Sequence, residues 1–89
     1  MISRDFKISN RLGLHARPSA QLTQVASRFH SDVYLAREGR RVNAKSIMGV
    51  MMLAAGYGST VSVEADGPDE ESAVAAIGAL IESRFGESA

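Results

Sequence analysis

The chain has 89 residues, 45% hydrophobic and 22% charged, with ten basic and ten acidic side chains and no cysteine. This is enough for one small domain, spanning 1–89, and too little for two cores; it excludes a disulfide scaffold and a thiolate metal site. The opening MISRDFKIS alternates instead of forming an apolar block, so neither a signal peptide nor a membrane anchor is expected there. Ile2, Phe6 and Ile8 alternate with Ser3, Asp5, Lys7 and Ser9, which predicts a half-buried strand whose apolar face Arg4 interrupts. Pro18, Leu22, Val25, Ala26 and Phe29 follow helical spacing. Val33 and Leu35 alternate again. Arg37-Glu38-Gly39-Arg40 reads as a tight turn, Gly39 supplying the positive φ, with a strand returning through Val42. Ser46 is placed to cap a short apolar stretch that ends before Gly56 and Gly58. Val61, Val63 and Ala65 make a last strand. Pro68-Asp69-Glu70-Glu71 opens the final helix, its acids at the positive end of the dipole. The stripe of that helix is Ala73, Ala76, Ile77, Leu80, Ile81 and Phe85, and Gly86 closes it.

The order is therefore βαββαβα, an α+β arrangement. Each crossover helix joins strands of the same direction, and the last strand fills the slot a crossover leaves. The result is a four-stranded antiparallel sheet with three helices on one face and water on the other.

Charge is unevenly placed along the chain. Residues 1–63 carry nine Lys/Arg and three Asp/Glu; residues 64–89 carry one and seven. No acidic residue lies between Asp5 and Asp32. This asymmetry points to an anionic ligand or partner for the first part, unless the fold interleaves the charges.

The acid-free segment holds Gly13-Leu14-His15-Ala16-Arg17-Pro18. Pro18 has no N–H and tolerates only the first turn of a helix, so the helix begins at about His15 or Ala16. The imidazole then lies beside unsatisfied backbone N–H groups, which bind anions and disfavour imidazolium. A ring nitrogen is left as a nucleophile, and Arg17 offers a planar fork for phosphate oxygens. Gly13 permits close approach of a bulky group or a partner's backbone. The same residues also fit a plain helix cap beside a solvated arginine.

Between Ser46 and Gly56 lie Ile47, Met48, Val50, Met51, Met52 and Leu53, too many apolar residues for one stripe. Val50 and Leu53 suit the core; Ile47, Met48 and Met51 are expected outside, where adaptable methionines serve docking. A helix buried on every side is the alternative. Lys45 adds a cation to this surface. His30, the other histidine, has no evident carboxylate partner, so neither a metal nor a cofactor is expected. The aromatics Phe6, Phe29, Tyr34 and Tyr57 make no nucleic-acid motif.

Gly13-Leu14-His15-Ala16-Arg17-Pro18 resembles the active-site signature of HPr, the histidine-containing phosphocarrier family of the bacterial phosphotransferase system. Asn43-Ala44-Lys45-Ser46-Ile47-Met48-Gly49-Val50-Met51 resembles that family's second signature, around a regulatory serine. The resemblance implies an open-faced β-sandwich, a cytoplasmic monomer, and a covalent carrier that is not an enzyme in its own right. It implies that His15 takes a phosphoryl group on Nδ1 from enzyme I, itself charged by phosphoenolpyruvate, and passes it to enzyme IIA domains. It assigns phosphate stabilisation to Arg17, with the amides of Ala16 and Arg17, and phosphorylation of Ser46 to HPr kinase/phosphorylase. Lys45, Ile47, Met48 and Met51 become the partner surface. The family's nitrogen-related paralogue, with a purely regulatory relay, uses the same chemistry. A protein-docking regulator switched by phosphorylation is the alternative from another class.

Overall fold

Strict alternation of side chains sets the two faces of the sheet. In the strand Thr60–Asp66, the side chains of Val61, Val63 and Ala65 are fully buried while Thr60 and Asp66 are exposed. In Asp32–Arg37 the buried pair is Val33 and Leu35. The chain order is β1 (Ile2–Lys7), α1 (Ala16–Ala26), β2 (Asp32–Arg37), β3 (Arg40–Asn43), α2 (Ile47–Met52), β4 (Thr60–Asp66) and α3 (Glu70–Glu82), then a 3-10 turn at Arg84–Gly86. The structure is a computed structural model and describes residues 1–87.

The four strands lie in the order β1-β4-β2-β3, every neighbouring pair antiparallel. The last strand does fill the slot between the first two, with Ala65 opposite both Ile2 and Val33. Arg4 sits on edge strand β1 with its side chain exposed, which the centre of the sheet would not allow. The three helices cover the apolar face, and Ile8, Leu22, Leu35, Val50, Val63, Ile77 and Ile81 meet in one core. Among the described residues, no helix is long and apolar enough to cross a membrane.

Three local readings need correction. The β2–β3 turn uses positive φ at Glu38 (50°) as well as Gly39 (81°), because a two-residue hairpin loop that follows the strand twist needs both. The buried face of α3 is Ala73, Val74, Ile77, Gly78 and Ile81, with Ala76 and Leu80 only half-buried. Gly78 belongs there because the Phe6 ring of β1 occupies the space of its missing Cβ. Finally, α3 stops at Glu82 and Gly86 does not end it alone. Arg84, Phe85 and Gly86 all take left-handed backbone (φ 58°, 55° and 76°), and Phe85 reaches the core from this turn. The reversal sends Glu87 back across the molecule.

Asp69 fastens two loops together. Its carboxylate accepts the N–H of His30 and of Ser31, each at 2.9 Å, and the Ser31 hydroxyl. The Ser31 hydroxyl donation, then the His30 amide, holds the Asp69 carboxyl down at about 2. A lowered carboxyl contributes stability above its unfolded value and loses it as pH falls through the folded value. Thermal melts should therefore show Asp69→Asn less stable than the parent at neutral pH by several degrees. The gap should close between about pH 4 and pH 2, and equal melting temperatures at neutral pH would remove Asp69 as a tether.

Candidate functional site

The loop before α1 is built on close backbone contact. Asn10 O accepts the Gly13 N–H at 3.2 Å, closing a turn, and Gly13 stands at φ 65°. A Cβ on Gly13 would run into the Ala55 carbonyl and the Gly56 backbone. Leu14 then donates its N–H to that same Ala55 O at 2.9 Å and buries its side chain. The room that glycine leaves is thus filled by this chain's own α2–β4 loop, not by a ligand or a partner.

His15 is the N-cap residue of α1 by position, with extended backbone (φ −77°, ψ −173°). Its carbonyl accepts the Ser19 N–H at 3.0 Å, and the Ser19 hydroxyl donates to Leu14 O at 3.0 Å. Pro18 is the third helical residue, where no intrahelical donor is needed. The imidazole makes no capping bond. Its Nε2 lies 3.2 Å from Glu87 Oε2, and the His15 side chain is 36% exposed. A carboxylate only accepts, so this contact requires a proton on Nε2, which in a neutral imidazole leaves the lone pair on Nδ1. Among the described residues, the N–H groups of Ala16 and Arg17 have no hydrogen-bond acceptor. The Arg17 side chain is exposed and forms no ion pair there. His15, the free amides of Ala16 and Arg17, and the exposed Arg17 side chain thus all belong to one helix start, residues suited to a tetrahedral anion.

Three arginines of the β2–β3 hairpin are engaged elsewhere. Arg37 and Arg40 donate to Leu53 O at 3.2 Å and Met52 O at 2.8 Å, closing the C-terminal end of α2. Arg41 pairs with Glu64 at 2.9 Å and lies over the Tyr34 ring. Part of the basic excess is thus interleaved with acids or used on carbonyls, while Arg17 is not.

The α2 surface divides as its sequence predicts. Val50 and Leu53 are buried; Ile47 is 44% exposed, Met48 70%, Met51 39% and Met52 61%. Ser46 is the N-cap, its Oγ accepting the Gly49 N–H at 3.1 Å. α2 packs on α1, and the loop leaving α2 touches Gly13 and Leu14, so α2 and its loop are tied to the segment that carries His15. Lys45 is not a free cation of that face: it is half-buried and its ammonium donates to Phe29 O at 2.8 Å. His30 is exposed. No group of three or more His, Asp or Glu able to hold a metal occurs among the described residues.

Two side chains at the site escape sequence reasoning. Glu87 arrives through left-handed backbone at Arg84, Phe85 and Gly86, of which only the last is a glycine. Asn10 is fully buried, with its Nδ2 donating to Gly13 O at 2.8 Å; its one signal is an asparagine three residues before a glycine.

Residues 2–83 match the family model described as the PTS HPr component phosphorylation site. The chain is 64% identical over 87 residues to phosphocarrier protein HPr of Cupriavidus necator, covering 98% of each. It is 49% identical over 87 residues to phosphocarrier protein HPr of Xylella fastidiosa, again covering 98% of each. The crystal structure of HPr from Thermoanaerobacter tengcongensis superposes with a TM-score of 0.96 at 46% identity, covering 100% of both chains. With His15 at the helix start and the open sheet behind it, the chain belongs to the HPr family of phosphocarrier proteins of the phosphotransferase system.

Proposed function

We propose that His15 accepts the phosphoryl group on Nδ1. The observation that carries this is the Glu87 carboxylate 3.2 Å from Nε2, which engages one ring nitrogen and leaves the other for the phosphoryl group at a helix start. The Nδ1 lone pair attacks phosphorus of phospho-enzyme I, the N–P bond forms, and the bond from phosphorus to enzyme I breaks. The Nε2 proton stays against Glu87. A nucleophile of an enzyme IIA domain then takes the group from Nδ1, which regains its lone pair. Arg17 and the amides of Ala16 and Arg17 hold the phosphoryl oxygens through both transfers. The protein turns over no substrate alone.

Enzyme I and the IIA domains dock on the exposed face of Ile47, Met48 and Met51, in the cytoplasm, with the carrier a monomer. Lys45 supports that face from its bond to Phe29 O. HPr kinase/phosphorylase modifies Ser46, whose phosphate then lies on the docking face.

Phosphoenolpyruvate with labelled phosphorus, incubated with enzyme I and this protein, tests the reading. Acid-labile, alkali-stable label on the parent and none on His15→Ala is the expected result. Label that persists in His15→Ala overturns it. In the same assay Arg17→Lys should transfer roughly tenfold more slowly or worse, since each lost charge-assisted hydrogen bond costs on the order of 1.5–3 kcal/mol. Unchanged rates in Arg17→Lys and Arg17→Ala would remove the arginine from the site.

A further inference from the structure

The buried Asn10 side chain links the Gly13 carbonyl to Glu87, the residue that contacts the His15 ring. Its Nδ2 donates to Gly13 O at 2.8 Å, the same carbonyl that accepts the His15 N–H at 3.0 Å. Nδ2 also lies 3.4 Å from Glu87 Oε1, while the other oxygen of that carboxylate is 3.2 Å from His15 Nε2. The amide cannot be turned over, because its oxygen would then face a carbonyl and a carboxylate. Held this way, its Oδ1 is buried with no hydrogen-bond partner among the described residues. An unpartnered buried oxygen is costly, and a small apolar residue would avoid that cost if the position had only to fill space. The amide nitrogen is therefore the reason for an asparagine here.

We infer that Asn10 is a positioning residue that sets the Glu87 carboxylate against His15 Nε2 and so fixes the ring tautomer that leaves Nδ1 free. The functional meaning rests on His15 as the phosphoryl acceptor; the tautomer itself does not. Asn10 touches no reacting atom and acts on the ring through Glu87. It also joins the segment after α3 to the β1–α1 loop, two parts of the chain that share no strand or helix.

The test is the ring 15N spectrum of His15 at alkaline pH, where imidazole is neutral. A single dominant tautomer keeps the Nδ1 and Nε2 resonances far apart, and a mixture brings them together. The parent should show the Nε2–H form. Asn10→Ala should lower the tautomer ratio by about fivefold, the scale of coupling between contacting polar groups. Glu87→Ala should do the same, and adding Asn10→Ala to it should change nothing further. Asn10→Asp, which keeps the shape but repels Glu87, should behave as Asn10→Ala and carries the test if the alanine variant does not fold. Resonances in Asn10→Asp as far apart as in the parent would overturn the inference, as would equal effects of Asn10→Ala with and without Glu87. The spectrum is recorded without enzyme I, so failure of phosphoryl transfer is a separate result.

Discussion

Met48→Asp should slow phosphorylation of His15 by enzyme I on the order of 100-fold at sub-saturating protein, with the melting temperature unchanged. Met48 is 70% exposed and stands outside the buried core cluster, so its loss should leave the fold intact. Ile47, Met51 and Met52 surround it with apolar surface. A partner that buries this patch would bury the new carboxylate unpaired, and about 3 kcal/mol of desolvation and repulsion gives that factor. Ser46→Asp should act in the same direction. Aspartate is itself a good N-cap, so the Gly49 N–H keeps an acceptor and stability is held or raised. A phosphate on Ser46 adds about −2 at the same place and meets the same positive helix end. Inhibition then arises at the interface and not from unfolding. Slowing of Ser46→Asp only in proportion to lost folded protein would reverse that assignment. Parent-like rates in both variants would mean enzyme I docks elsewhere.

Gly13→Ala should cost the fold and the site together. At φ 65° an alanine is strained by about 1–2 kcal/mol. Its Cβ would in addition strike the Ala55 carbonyl and the Gly56 backbone, atoms that move only if the α2–β4 loop moves. Overpacking of this kind adds roughly 1–3 kcal/mol. For a domain of this size the sum lowers the melting temperature by about 10 °C or more. Because Leu14 N–H bonds that same Ala55 carbonyl, a shift there also displaces His15, and label uptake should fall beyond the loss of folded protein. Gly39→Ala is the control. Gly39 has positive φ but no atom near its absent Cβ, so only the backbone strain remains. Equal melting temperatures for the two variants would show that the Ala55 contact adds nothing.

The periodic parts of the sequence carried the fold. Alternation at Val61, Val63 and Ala65, and the placement of Ser46 and Pro18 at helix starts, describe local choices that the core then reinforces. The placement of His15 and Arg17 at a helix start is legible because a proline and a glycine bracket that start. The division of α2 into buried Val50 and Leu53 and exposed Met48 followed from the size of the domain. Glu87 was illegible for a physical reason. Its place depends on left-handed backbone at Arg84 and Phe85, and a buried Phe85 ring, not local propensity, stabilises that turn. Phe85 itself looked like another turn of α3 because its spacing from Ile81 is helical. The ammonium of Lys45 looked free because nothing in its own segment shows that Phe29 O lies within reach.

Which ring nitrogen of His15 accepts the phosphoryl group is tested most directly by the linkage in the phosphorylated protein. Phosphorus–nitrogen correlation spectroscopy of the protein charged by enzyme I distinguishes phosphate on Nδ1 from phosphate on Nε2. With Nε2 held at Glu87 and the amides of Ala16 and Arg17 open beside the ring, the spectrum should show the Nδ1 linkage alone. Phosphate on Nε2 would mean that Glu87 releases the ring during transfer, and would contradict the assignment of the accepting nitrogen.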